Sequence, residues 1–263
     1  MNAHVEQGGV SDGTVGKALH VMDLVASKGR PVRFAELLSE SPYPKATLYR
    51  LLQTLTNQKM LAYDEDTQFY SPGLRLVRLA HAAWQQSSIA PIARPFLDEL
   101  SAKAGETIHL AQLDGGQVLY VDKRNALRPV EMFSRAGKVG PAYCTGVGKA
   151  MMAFLPPDRQ AEAIAMQSFF RHTPHTLAGP EELQAELQVI RQEGIAFDRE
   201  EHEPGIICIA APIIAGNGRV LGGLSITTAT QKKDFDALQA HRGDLVETAA
   251  EIAQAAESWQ FPG

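Results

Sequence analysis

Along the N-terminal third of the chain, apolar side chains recur at helical spacing in blocks separated by turn formers. Val15, Ala18, Leu19, Met22 and Val25 keep an i, i+3, i+4, i+7 rhythm behind Thr14, a capping residue, and Gly29 stands where that helix would end. Phe34, Leu37 and Leu38 mark a short second helix over residues 33–40, after which Ser41-Pro42-Tyr43-Pro44 breaks the pattern. Pro44 suits a helix start. The third helix, residues 45–58, gathers Leu48, Leu51, Leu52 and Leu55 on one stripe and leaves Lys45, Tyr49, Arg50, Gln53 and Thr54 pointing elsewhere. Residues 61–63 and 68–70, separated by Asp64-Glu65-Asp66-Thr67, then predict a hairpin whose tip would form a wing.

Residues 72–86 read as a further helix, with Leu76, Leu79, Ala80 and Ala83 on one stripe and Leu74, Val77 and Trp84 on another. Apolar residues on two faces call for burial on two sides, as when a connecting helix packs against a partner chain; a strut buried within one chain is the alternative. An amphipathic helix over residues 88–103 follows, carrying Ile89, Ile92, Phe96 and Leu100. Two β-rich runs, 107–113 and 117–123, are joined by Asp114-Gly115-Gly116, and a second pair, 206–214 and 219–227, by Gly216-Asn217-Gly218. Residues 148–155, 180–193 and 235–257 read as helices. Hairpins in place of βαβ crossovers predict an α+β fold with a mainly antiparallel sheet.

At 263 residues the chain is long enough for one large or two modest domains. Its net charge of -5 confines any nucleic-acid contact to a local patch. Residues 14–80 supply one, with nine basic side chains against six acidic, so the remainder is acidic. Two cysteines, Cys144 and Cys208, are too few for a disulfide framework and fit a reducing compartment. No apolar run approaches the roughly twenty residues of a membrane span, and the polar residues 1–13 read as a flexible N-terminus without a signal peptide. A cytoplasmic protein without membrane contact is expected.

The stretches Phe34-Ala-Glu-Leu-Leu, Pro44-Lys-Ala-Thr-Leu-Tyr-Arg-Leu-Leu-Gln-Thr-Leu and Tyr70-Ser-Pro-Gly-Leu-Arg-Leu-Val-Arg-Leu make residues 14–79 resemble the winged helix-turn-helix of the IclR family of bacterial regulators. The resemblance implies a DNA-binding domain over 14–72 and a linker helix over 73–87. The third helix would then be the recognition helix in the major groove, with Arg33, Lys45, Thr47, Tyr49 and Arg50 as candidate contacts. Arg50 can bond two acceptors of guanine at once, or serve as a phosphate clamp without sequence information. Where the family usually has a glycine between third helix and wing, this chain has Lys59. That substitution makes the turn costlier. The acidic wing tip is awkward against phosphates, which leaves backbone contact to the strands or flanks. Two recognition helices one DNA turn apart would read a palindromic operator in double-stranded DNA, so a homodimer is expected, and the family adds a possible dimer of dimers.

His109-Leu-Ala-Gln-Leu-Asp-Gly, Gln117-Val-Leu-Tyr-Val-Asp-Lys, Cys144-Thr-Gly-Val-Gly-Lys-Ala-Met-Met-Ala-Phe-Leu, Thr173-Pro-His-Thr-Leu and Gly205-Ile-Ile-Cys-Ile-Ala-Ala-Pro extend the resemblance over nearly the whole chain. They imply a GAF-like effector-binding domain over 88–263 that takes a small carboxylate. Carried over by position, the resemblance places the amides of Gly146 and Val147 on the effector at a helix start, where the dipole suits an anion. It places Asp198, Cys208 and Ser225 as polar lining and Met132 and Ile206 as apolar lining, and Thr145 adds a hydroxyl. Read without the family, Asp198 fits a strand-end surface carboxylate equally well, and Cys208 among isoleucines fits packing. The run Phe133-Ser-Arg-Ala-Gly-Lys-Val-Gly-Pro-Ala-Tyr-Cys-Thr-Gly is similar to regulators of sugar-acid catabolism of the kind answering to 2-keto-3-deoxygluconate. Arg135 and Lys138 in it read as a solvated loop face, the alternative being added charge for a ligand carboxylate.

The expected function is therefore that of a repressor of a catabolic operon controlled by a carboxylate such as a sugar acid. An aromatic or short-chain acid, or an enzyme acting on a sugar acid, is the alternative. Gly146-Val-Gly148-Lys149 departs from a phosphate loop at Tyr143, where that pattern needs glycine, and at Ala150, where it needs Ser or Thr. No metal-ligand spacing occurs, and His202 between Glu201 and Glu203 reads as an exposed loop. Neither cofactor, metal nor catalytic residue is expected.

Overall fold

The structure, a computed structural model, describes residues 13–130 and 132–257. All but the last of the residues expected to form a flexible N-terminus lie outside the described residues. Contacts divide the chain between Gln86 and Ser87 into two compact units.

In the first unit, α1 (Gly13–Ser27), β1 (Val32–Arg33), α2 (Phe34–Glu40), α3 (Lys45–Asn57), β2 (Leu61–Asp64), β3 (Phe69–Pro72) and α4 (Leu74–Ser87) follow in order. The strands form an antiparallel sheet in the order β1-β3-β2. Its core is the leucine stripe of α3, Leu48, Leu51, Leu52 and Leu55, closed by Val21, Val25, Leu37 and Tyr70. Burying one such side chain contributes about 1.5–3 kcal/mol. The apolar rhythm of α1 is only partly used. Val21 and Val25 are buried, but Val15 and Leu19 remain 70% and 52% exposed, because only one stripe of this helix meets the core. Gly29 follows α1 with φ +63°, and Lys59, in the place of the expected glycine, has φ 58°.

The helix α4 spans the expected linker. It presents Leu74, Val77 and Leu79 at 81%, 64% and 50% exposure, so within one chain neither stripe is covered as the pattern requires.

The second unit holds α5 (Ala90–Ala104), β4 (Thr107–Asp114), β5 (Gln117–Arg124), β6 (Val139–Gly140), α6 (Gly146–Ala153), α7 (Pro157–Ala165) and α8 (Pro180–Glu193). After these come β7 (Ala196–Arg199), β8 (Ile206–Ile214), β9 (Val220–Ala229), α9 (Phe235–Gln239) and α10 (Arg242–Ala255). Six strands form one sheet in the order β6-β5-β4-β9-β8-β7, with every pair antiparallel. Alternation along the strands sends side chains to both faces. Ala196 and Ala210 join the apolar cluster built with α6, α7 and α8, whereas the intervening Ile207 and Ile209 are buried outside it. Helices α5 and α10 pack on each other and on the strands. The single helix expected over 235–257 is broken at Ala240 and His241, which separate α9 from α10.

Candidate functional site

On the first unit, α3 lays its leucines inward and so must turn Lys45, Tyr49 and Arg50 to solvent; Thr47 is half-buried. Arg33 precedes α2, its amide donates to Glu36 Oε1 at 3.1 Å, and its guanidinium lies 4.9 Å from the Phe69 ring centre. Arg33, Lys45 and Tyr49 thus share one aromatic-floored groove with Phe34, Tyr63 and Tyr70, while Thr47 and Arg50 do not line it. At the wing tip Asp64 Oδ1 accepts from the Asp66 and Thr67 amides at 2.9 and 3.0 Å. The hydrogen bonds from Thr67 hold this carboxyl below its ordinary range, so the tip stays anionic and unsuited to phosphate. The basic groups that could meet a duplex stand on α3 and at the start of α2.

On the second unit, all eight residues expected around an effector line one cavity: Met132, Thr145, Gly146, Val147, Asp198, Ile206, Cys208 and Ser225. The local fold explains the convergence. Thr145 caps α6 in extended conformation, with Lys149 N–H returning to its carbonyl at 3.0 Å and its own hydroxyl donating to Pro141 O at 2.8 Å. Gly146 and Val147 therefore begin the helix at the cavity, with amides for which α6 itself has no carbonyl partner. The Gly146 amide is aimed at the Cys208 sulfur, and a Cβ on Gly146 would run into that sulfur. A Cβ on Gly148 would strike the Ala142 backbone, so both glycines permit a close approach that no larger residue allows.

Across the sheet, Asp198 on β7 pairs with Cys208 on β8, and Cys208 with Thr227 on β9. Asp198 is 7% exposed, which excludes a surface carboxylate; its Oδ1 accepts from the Glu201 amide at 2.8 Å. Burial, reinforced by Glu201, pushes the Asp198 carboxyl up to about 7. Burial likewise raises the Cys208 thiol, so it is a neutral lining group. Beneath the cavity Lys149, wholly buried, donates to Glu201 Oε1 at 2.6 Å and to Glu186 Oε1 at 3.1 Å. Burial works against this ammonium, but Glu201 and Glu186 outweigh it and hold its pKa above the ordinary lysine value. The lysine of the Gly-Lys pair is thus spent on an internal ion pair.

Six lining residues escaped the sequence reading: His109, Tyr120, Ser134, His202, Glu203 and Thr227. Thr227 was accessible, since it stands two residues from Ser225 on the same strand face. His109 was accessible only through register, because it faces Ser225 across β4 and β9. The reading of His202 as an exposed loop residue is corrected. Its side chain is 10% exposed and packs edgewise on Phe133 at 4.8 Å, drawn in because Glu203 anchors the loop to the Phe133 amide at 2.9 Å. Arg135 and Lys138 are exposed, as expected of a loop face. Among the described residues no group of three or more His, Cys, Asp or Glu side chains could hold a metal ion, and no helix is long and apolar enough to cross a membrane.

An exposed basic helix in a winged helix-turn-helix, on a chain whose second unit encloses a polar cavity at a helix start, defines a ligand-responsive DNA-binding regulator. The chain belongs to the IclR family. Residues 14–65 match the IclR helix-turn-helix domain and residues 81–254 the bacterial transcriptional regulator IclR C-terminal domain. It is 34% identical over 219 residues to the HTH-type transcriptional regulator KdgR of Dickeya chrysanthemi, across 82% of this chain and 72% of that protein. The Thermotoga maritima IclR structure superposes with a TM-score of 0.75 at 29% identity, covering 93% of this chain and 98% of the other. An IclR homologue from Microbacterium hydrocarbonoxydans complexed with 4-hydroxybenzoate shares the fold, with a TM-score of 0.79 at 19% identity, over 94% of this chain and all of the other. The chain is a transcriptional regulator with an effector-binding C-terminal domain, and not an enzyme.

Proposed function

We propose that this regulator represses a catabolic operon in the cytoplasm and answers to a small carboxylate, a sugar acid, held in the C-terminal cavity. The observation that carries the reading is the meeting of Gly146 and Val147 amides, at the positive end of α6, with Asp198 and Ser225 in one enclosed space. The amides suit a carboxylate and the side chains suit hydroxyls. Kinship with a KdgR is consistent with the sugar-acid branch. The domains run 14–72, 73–87 and 88–263, and Arg33, Lys45, Thr47, Tyr49 and Arg50 contact the operator. The uncovered Leu74, Val77 and Leu79 of α4 support a homodimer on a palindromic site, with dimers pairing again on DNA. Effector occupancy shifts the population of linker arrangements and with it operator affinity.

A second reading, an aromatic acid, is favoured by the 4-hydroxybenzoate bound to the Microbacterium homologue. A thermal-shift panel separates the two, because a compound at 100 times its Kd stabilises by roughly 2.7 kcal/mol. Sugar acids are expected to raise Tm. Stabilisation by aromatic acids alone would overturn the sugar-acid reading.

A further inference from the structure

The wall of the cavity formed by β4 and β9 carries an array of which the expected effector contacts use Ser225 alone. His109, 3% exposed, has Nε2 at 2.7 Å from Ser134 Oγ and Nδ1 at 3.1 Å from Thr227 Oγ1 and 3.4 Å from Ser225 Oγ. The Ser225 and Thr227 hydroxyls stand 3.3 Å apart, and all four side chains line the cavity. We propose that His109 is a specificity-determining residue of this cavity, setting the Ser134–His109–Thr227/Ser225 array to read the hydroxyl and keto oxygens of a polyhydroxylated carboxylate. The inference rests on the sugar-acid reading above and assigns the part of the cavity that enforces it.

Burial, with the Lys123 ammonium nearby, holds His109 down at about 3, so its imidazole is neutral. A neutral imidazole has one N–H and one lone pair, and each hydroxyl both donates and accepts. Moving the ring proton from Nδ1 to Nε2 while the hydroxyls rotate reverses the direction of the chain with no proton gained or lost. In one setting the β9 hydroxyls are turned to donate into the cavity, and in the other to accept. A ligand bearing both hydroxyl and keto oxygens is matched by either setting. An alkyl or aryl chain strips water from these hydroxyls and returns no hydrogen bond.

Isothermal titration of the full chain tests this, with D-gluconate and 2-keto-3-deoxygluconate as polyhydroxylated probes, hexanoate as the six-carbon acid without hydroxyls, and 4-hydroxybenzoate. The unsubstituted chain should favour its better sugar acid over hexanoate by about tenfold or more, as sites built to bond a hydroxyl do. In His109→Leu and in the near-isosteric Thr227→Val that ratio should fall to about threefold or less with hexanoate affinity retained. A merely structural role would weaken both acids alike and leave the ratio unchanged. An unchanged ratio in folded variants overturns the inference and leaves the sugar-acid reading standing. Should the unsubstituted chain bind 4-hydroxybenzoate alone, or none of the four, both fall. If His109→Leu does not fold, Thr227→Val decides the question alone.

Discussion

On α3 Lys45, Tyr49 and Arg50, proposed to meet DNA, stand in water, Tyr49 at 53% exposure, whereas in the cavity of the second unit Asp198, Cys208 and Ser225 are 7%, 6% and 2% exposed. The first site is laid on a finished fold. The second is part of the fold, so its chemistry and the stability of its domain cannot be altered separately. Substitution on α3 should therefore change affinity at constant stability, and substitution around the cavity should change stability, its pH dependence and ligand response together.

The strongest test of that contrast is Lys149→Met. The substitution leaves Glu201, whose Oε2 already has no hydrogen-bond partner, and Glu186 facing a buried neutral chain. Breaking a buried pair from one side costs about 3–5 kcal/mol. Urea unfolding should show that loss in the second unit, and adding Glu201→Leu should restore part of it. A loss comparable to that of a surface ion pair would mean the two sites are less different than their burial suggests.

Next in size is the pH response of Asp198. Its carboxyl is pushed up to about 7 in the folded chain from an ordinary 3.8. Between those values the folded chain holds a proton that the unfolded chain has released, so stability falls as pH rises through this window and levels off above it. The penalty is on the order of 2–4 kcal/mol. In Asp198→Asn it should vanish, which flattens the profile of Tm against pH between 4 and 7; an unchanged slope there would assign the effect to another group. On the exposed side, Arg50→Ala should weaken binding to specific duplex by roughly 1–3 kcal/mol if the guanidinium reads a base. Tm should not move. A loss equal on specific and random DNA would make Arg50 a phosphate clamp.

The same contrast governs what could be read from sequence. The leucine stripe of α3 leaves its outward residues by subtraction, so Lys45, Tyr49 and Arg50 follow from periodicity. The cavity joins α6, β4, β5, β7, β8, β9 and two loops distant in sequence, and no local pattern announces that meeting. Seven of its eight foreseen residues came through family likeness and Thr145 from the chemistry of its hydroxyl, none from spacing. The strand β7, Ala196–Arg199, is too short to show a period, yet it carries Asp198. The loop carrying His202 and Glu203 turns inward through a carboxylate–amide contact with Phe133, a tertiary event invisible to pattern. The exposed apolar residues of α1 and α4 mark the opposite limit. Helical rhythm says that a face is apolar, and not whether its own chain covers it.

The smallest expected effect lies on the DNA-binding unit and concerns its backbone. Lys59 sits in the left-handed region at φ 58°, with its amide donating to Thr56 O at 2.9 Å and its carbonyl facing Gly73, where a Cβ would collide. The turn that carries the chain from α3 into the wing thus fixes a conformation that a lysine adopts at a cost of roughly 1–2 kcal/mol. Glycine removes that cost but loses more freedom on folding, about 0.5–1 kcal/mol. Lys59→Gly should therefore stabilise the first unit by up to about 1 kcal/mol, read as a higher urea midpoint, with operator affinity unchanged because no reading side chain moves. Reduced affinity for random and specific duplex alike would instead give the exposed Lys59 ammonium a phosphate, and would extend the DNA-contacting surface from α3 into the turn before the wing.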